Sequence, residues 1–212
     1  MTNIQNIIFD LGNVLLDLDY PLAEKRFKSL FGDDWNFRDG IAEANELFDA
    51  YQRGKIDEPT FFAALRADAP REVTAGQLLE AWNSVLGELP MRRLELLDAY
   101  RQRYRLYLLS NTNFTHMRRF DQLLQESHGI TLDDFRKRFH GVYLSYELGM
   151  RKPDKAIYEY LLKDTGVRPE ASLFIDDLEE NITAAESVGI RGYRHDPRQE
   201  IGDILVEMLT IR

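Results

Sequence analysis

Asp10, the pair Ser110-Asn111 and the pair Asp176-Asp177 each stand where a short apolar run of the chain stops. Carboxylates bind hard cations or act as nucleophiles, while hydroxyls and backbone amides hydrogen-bond phosphate oxygens. Three carboxylates drawn from two distant stretches would repel one another if they converged without a cation. Magnesium suits such a set, because it prefers oxygen ligands and keeps positions for water and a substrate phosphate oxygen. Lys152, just ahead of a helical stretch, would add a second positive centre. Any one of these polar run ends is ordinary turn chemistry, since loops favour Asp, Asn, Ser and Gly. All three together, with the lysine, point to a phosphate site, and a carboxylate nucleophile beside a bound phosphate is a route to a covalent phospho-enzyme.

Such residues meet only if the runs are neighbouring parallel strands. Residues 4–9, 105–109 and 171–175 are short, apolar and bounded by polar ends, the pattern of buried parallel strands. Residues 141–145 and 190–193 are weaker candidates of the same kind. Between them, 91–103 and 153–165 carry helical apolar spacing through Leu94 and Leu97, and through Ile157, Tyr160 and Leu161. Pro153 is expected in the first turn of its helix and Gly166 at its end. The alternation predicts an α/β core with a doubly wound, Rossmann-like parallel sheet, whose ligands bind outside the carboxyl ends of the strands. Residues 17–89 differ. They hold helix-like stretches at 21–30, 41–51, 59–68 and 74–86, with no convincing strand. The expected organisation is a core domain of residues 1–15 and 90–212, with an all-helical cap inserted over 16–89.

Charge narrows the partners. The chain has 212 residues, a formal net charge of −9 and a pI near 5.0, which argues against nucleic acid or an anionic membrane as partner. The expected partner is a small phosphorylated metabolite, met by local positive charge. With no cysteine, disulfide and thiolate chemistry are excluded. The first residues lack a signal-peptide pattern and no apolar run approaches the ~20 residues of a membrane span, so a cytoplasmic location is expected.

Four motifs stand in order: Phe9-Asp10-Leu11-Gly12-Asn13-Val14, Leu109-Ser110-Asn111-Thr112-Asn113, Gly149-Met150-Arg151-Lys152-Pro153, and Phe174-Ile175-Asp176-Asp177 with Asn181. Over nearly the whole chain they resemble the haloacid dehalogenase (HAD) superfamily of phosphohydrolases, in its subfamily IA-like form with a helical cap. The runs Asp-Leu-Gly-Asn-Val and Gly-Met-Arg-Lys-Pro are most similar to the branch that includes the bacterial α-D-glucose-1-phosphate phosphatase. The resemblance implies a magnesium-dependent phosphatase acting on a sugar phosphate such as a hexose 1-phosphate. It implies Asp10 as nucleophile and metal ligand, Gly12 offering its carbonyl to magnesium, and Asp176 and Asp177 as further ligands. Ser110 and the amide of Asn111 would hold the phosphate, and Lys152 would balance Asp10 and the phosphoryl charge.

One position departs from the family pattern. Most phosphatases of the superfamily carry a second aspartate two residues after the nucleophile, as acid and base, where this chain has Gly12. General acid–base help is worth ~10²–10⁴-fold. A leaving group needing little protonation, an acid from the cap, or loss of catalysis are the three readings. Glu46, Asp49 and Arg53 share one helical face, and 48–53 is the stretch expected to close over a substrate. A regulatory pseudo-enzyme and a metal-free haloacid dehalogenase are the alternatives; Asp176-Asp177 speaks against the latter, because two carboxylates there would repel a haloacid. Asp17 and Asp19 read as turn or cap residues, and the four histidines as surface or packing residues. Phe48, Tyr51, Phe61, Phe62 and Trp82 read as the core of the cap.

Overall fold

Strand β1 (Asn6–Phe9) is buried along its whole length and lies at the centre of a five-stranded parallel sheet. The other strands are β2 (Arg105–Ser110), β3 (Gly141–Leu144), β4 (Ser172–Asp176) and β5 (Arg191–Arg194). Their order is β3-β2-β1-β4-β5. The computed structural model describes residues 4–33, 35 and 46–210. Because side chains alternate across a strand, both faces of the sheet must be covered, and both sets are apolar. Ile7, Phe9, Leu106, Leu108, Leu173 and Ile175 point to one face, and Ile8, Tyr107, Leu109 and Phe174 to the other.

On the first face pack α5 (Met91–Tyr100), α6 (Phe114–His128) and α11 (Ile201–Thr210), through Leu94, Leu97, Met117, Phe120, Ile201 and Leu205. On the second pack α9 (Lys155–Thr165) and α10 (Glu179–Glu186), through Ile157, Tyr158, Leu161, Ile182 and Ala185. Short helices α7 (Leu132–Arg136) and α8 (Ser145–Leu148) flank β3. Gly166 ends α9 as the pattern predicts, at φ 66°, where a side chain would be strained. Pro153 departs from expectation. The Lys152–Pro153 peptide is cis, and α9 starts only at Lys155. The chain turns first, with Asp154 N–H donating to Arg151 O at 3.0 Å, and that turn presents Lys152 to the sheet. The helix expected over 91–103 likewise stops at Tyr100 and gives way to a turn.

Between β1 and α5 come α1 (Tyr20–Phe31), α2 (Glu46–Gln52), α3 (Glu58–Ala67) and α4 (Ala75–Asn83). Most of the helix expected from residue 41 falls in α2, and residues 41–45 lie outside the described residues. Asp19 caps α1 by accepting from Leu22 N–H at 2.9 Å, and Asp57 caps α3 through Thr60 N–H at 3.0 Å. Each cap of this kind contributes about 1 kcal/mol. The helices enclose an apolar centre of their own around Phe27, Phe48, Tyr51, Phe61 and Trp82. Tyr51 stacks on Phe61 at 4.2 Å and Trp82 meets Phe61 at 4.9 Å. The segments entering and leaving this helical region touch at Leu18 and Leu86, through an isolated antiparallel bridge. No described helix is long and apolar enough to cross a membrane.

Candidate active site

The strand order brings together what the sequence holds far apart. Phe9 pairs with Leu108 on one side and Ile175 on the other, so Asp10 emerges between the ends of β2 and β4. Ser110 closes β2 and Asp176 closes β4, both buried. Carboxylate oxygens of Asp10, Asp176 and Asp177 lie within 4.8 Å of one another. Into this group reaches Lys152, 1% exposed, with Nζ 2.8 Å from Asp10 Oδ1 and 2.6 Å from Asp176 Oδ2. Its ammonium also sits 5.4 Å from the Phe174 ring centroid.

One ammonium does not neutralise three carboxylates. Burial pushes Asp10 up to about 7; Lys152 pulls the other way, and the charges of Asp176 and Asp177 add to the rise. Asp177 is raised too, by burial first, against a hydrogen bond from Asn13. Burial alone would depress Lys152, but Asp10 and Asp176 outweigh it and hold its pKa above the ordinary lysine value. An all-oxygen, electron-rich donor set of this spacing fits magnesium. Asp10, Asp176 and Asp177 are the residues that would hold the ion.

Three asparagines fix this arrangement, and their roles are not visible in the sequence. Asn111 brackets the lysine: its Nδ2 donates to Lys152 O and its Oδ1 accepts from Lys152 N–H, each at 2.9 Å. The Asn111 side chain is thereby occupied, which leaves any phosphate contact to its backbone amide. Asn181 on α10 donates to Asp176 Oδ1 at 2.9 Å, the same oxygen that accepts from Leu178 N–H. Asp176 therefore presents Oδ2 to Lys152 while Oδ1 is held from below. Asn13 donates to Asp177 Oδ2 at 2.8 Å. Its backbone is left-handed at φ 56°, a conformation that asparagine tolerates better than most residues. A side chain at Gly12 would meet Leu18, with a Cβ only 2.8 Å from Leu18 Cδ1.

The helical region contributes a charged contact beside the lysine turn. Arg53 donates to Asp49 at 2.8 Å and crosses to Asp154 at 2.8 Å, while Arg151 reaches Asp49 at 3.4 Å. Burial alone would raise Asp49, but Arg53 and then Arg151 hold its carboxyl below the usual range. Asp49 is therefore ionised at neutral pH and unsuited to donate a proton, which removes it as the acid missing at Gly12. Glu46 on the same helix is exposed. Asp17, read as a turn residue, accepts from Arg93 at 2.7 Å. Phe48, Tyr51, Phe61 and Trp82 are buried as expected, yet two of them also reach outward. The Tyr51 hydroxyl bonds Thr115, which bonds Glu58, and Trp82 Nε1 donates to Asn113 Oδ1 at 3.4 Å. His116 stacks on Trp82 at 4.8 Å and donates to its carbonyl oxygen at 3.1 Å.

The model of the haloacid dehalogenase-like hydrolases matches residues 4–189. A D-ribitol-5-phosphate phosphatase of Bacteroides thetaiotaomicron is 32% identical over 206 residues, spanning 95% of this chain and 98% of that one. A HAD family enzyme of the same organism, solved as an aspartate-to-alanine mutant with magnesium and inorganic phosphate, superposes with a TM-score of 0.85 at 30% identity. That match covers 96% of this chain and 99% of the other. A HAD-like hydrolase of Porphyromonas gingivalis gives a TM-score of 0.85 at 30% identity over 99% of both chains. The likeness expected to a glucose-1-phosphate phosphatase is thus replaced by likeness to a phosphatase of a linear polyol phosphate. The shared fold, the carboxylate cluster and the four motifs in sequence order make this chain a member of the haloacid dehalogenase-like hydrolase family.

Proposed function

We propose that this chain is a magnesium-dependent phosphatase of a small phosphorylated polyol or sugar, working through an aspartyl-phosphate on Asp10. The observation that carries the proposal is Lys152, buried between Asp10 and Asp176 with Asp177 alongside. In this reading an Asp10 oxygen attacks phosphorus, the ester P–O bond breaks, and the leaving oxygen takes a proton from water to depart as the alcohol. Water then cleaves the acyl phosphate, releasing inorganic phosphate and restoring the carboxylate. A bound magnesium ion would neutralise charge shared by the phosphate and the carboxylates. Lys152 favours the ionised form of Asp10 against its burial and faces the phosphoryl oxygens, while Ser110 and the Asn111 amide orient them. Residues 16–89 serve as the cap domain, with Asp49 and Arg53 facing Arg151 and Asp154 at the rim.

Two substrate classes remain, each favoured by a different observation. The relative acting on D-ribitol 5-phosphate favours a primary phosphate ester of a five-carbon polyol. Gly12, with Leu18 occupying the space of a side chain there, favours a leaving group needing less protonation, such as an anomeric hydroxyl. Phosphate release would be followed on ribitol 5-phosphate, a hexose 1-phosphate, an acyl phosphate and an aryl phosphate, with and without magnesium, beside Asp10→Asn. Turnover that requires both magnesium and Asp10 is expected. A folded, magnesium-binding protein inert toward every compound would instead make it a regulatory pseudo-enzyme.

A further inference from the structure

At the opposite end of the strands from Asp10 lies a cavity of about 490 Å³. It is lined by Arg101, Arg103, Arg105 and Arg168, with His140, Tyr104, Val167, Gly166 and neutral polar residues, and among the described residues by no carboxylate. In a chain of net charge −9 this concentration of guanidinium groups needs a cause.

Helix ends supply part of one. α5 ends at Tyr100 with Arg101 as its cap, and α9 ends at Thr165 with Gly166 on the cavity wall. Each helix C-terminus carries roughly half a negative charge, so the two together offset about one arginine. Glu170 lies 3.6 Å from Arg168 and offsets another. Arg101, Arg103 and Arg105 form no ion pair with the described residues. His140 adds no charge: burial, then Arg101 and Arg105, depress its pKa, and its Nδ1 accepts from Leu106 N–H at 3.1 Å. About two positive charges are left over in a concave, mainly polar basin.

We propose that this basin is a second binding site, separate from the catalytic one, for a compact polyanion such as a pyrophosphate or bisphosphate group. Guanidinium forks match phosphate oxygens in pairs, and the volume admits a small molecule. A nucleic acid or an acidic protein segment is disfavoured, since the rest of the surface carries the excess negative charge. Asn6 at the start of β1 lines the basin and Asp10 follows the end of that strand, so roughly 13 Å of rigid strand separates the two sites.

The probe is inorganic pyrophosphate, titrated calorimetrically into the full chain in metal-free buffer. Without metal the catalytic site holds three carboxylates against one ammonium and repels a polyanion, so heat reports on the basin. One equivalent is expected to bind, about tenfold or more weakly in Arg101→Gln/Arg105→Gln, and more weakly as salt is raised. Both substituted residues are exposed and form no ion pair with the described residues, so the melting temperature and the magnesium-dependent phosphatase kcat/KM should stay at wild-type values. Absence of binding to wild type, or equal binding to the variant, overturns the proposal. A response to an oligonucleotide or acidic peptide with none to pyrophosphate also overturns it, in favour of a macromolecular partner.

Discussion

Replacing Lys152 with methionine removes the cation that, among the described residues, holds Asp10 and Asp176 together, while keeping most of the apolar stem of the side chain. At contacts of 2.8 and 2.6 Å, each attraction is worth about 6 kcal/mol at an effective dielectric constant near 20. Much of that is offset by the cost of desolvating the lysine. Removing one partner of a buried pair costs about 3–5 kcal/mol net, because the remaining charges stay buried without compensation. For a chain of this size that corresponds to a fall of about 10 °C in melting temperature. The loss has a sign in pH. Asp10 is raised in the folded protein to about 7 from the ordinary value of 3.8. A group raised on folding contributes stability below its unfolded pKa and loses that contribution as pH rises through the folded value. Metal-free Lys152→Met should therefore fall further below wild type near pH 8 than near pH 5. Magnesium, supplying a replacement cation, should raise its melting temperature more than it raises that of wild type. Differential scanning fluorimetry across pH, with EDTA or magnesium, reads all of this. A metal-free variant that melts within about 2 °C of wild type near pH 8, and gains no more from magnesium, would refute the electrostatic reasoning.

Asn111→Ala removes both side-chain bonds to the Lys152 backbone and should cost about 2 kcal/mol; kcat is expected to fall about tenfold with a smaller change in KM, and steady-state kinetics checks it. His116 is held down to about 4 by burial, its ordinary value being 6.5. Its contribution is complete above about 6.5 and is lost as pH falls toward 4, since a proton on Nδ1 would face the Asn113 amide donor. Urea denaturation of wild type against His116→Gln should show up to about 3 kcal/mol of difference disappearing across that window; parallel curves would count against it. Gly12→Asp must displace Leu18, at a cost of about 1–3 kcal/mol. Gly12→Asp/Leu18→Ala should relieve this and raise kcat on alkyl phosphates about tenfold or more, and equal activities of single and double variants would contradict the steric account.

What the sequence determined by itself is what depends on neighbouring residues. Ile7, Ile8 and Phe9 read as a buried strand because both faces are apolar over a short run. Gly166 and Asp19 mark helix ends because each satisfies backbone groups within a turn of itself. Gly12 stands out only through the resemblance, which expects an aspartate at that position. The polar residues at three strand ends were likewise legible, and so was their need for a cation. What only the tertiary structure decided are partners brought together by strand order. Lys152 meets Asp176 across 24 positions, and Asn13 meets Asp177 across 164. Asn111 serves as a bracket for the lysine backbone, Asp49 is held by arginines from two distant stretches, and Pro153 lies in a turn ahead of α9. The same holds for Arg101, Arg105 and Arg168, three unremarkable surface residues until the helix ends place them around one basin. Periodicity and capping act over a few residues and leave a trace in local sequence. Charge and hydrogen-bond pairing act through space, so they exist only once the sheet has set which ends are neighbours.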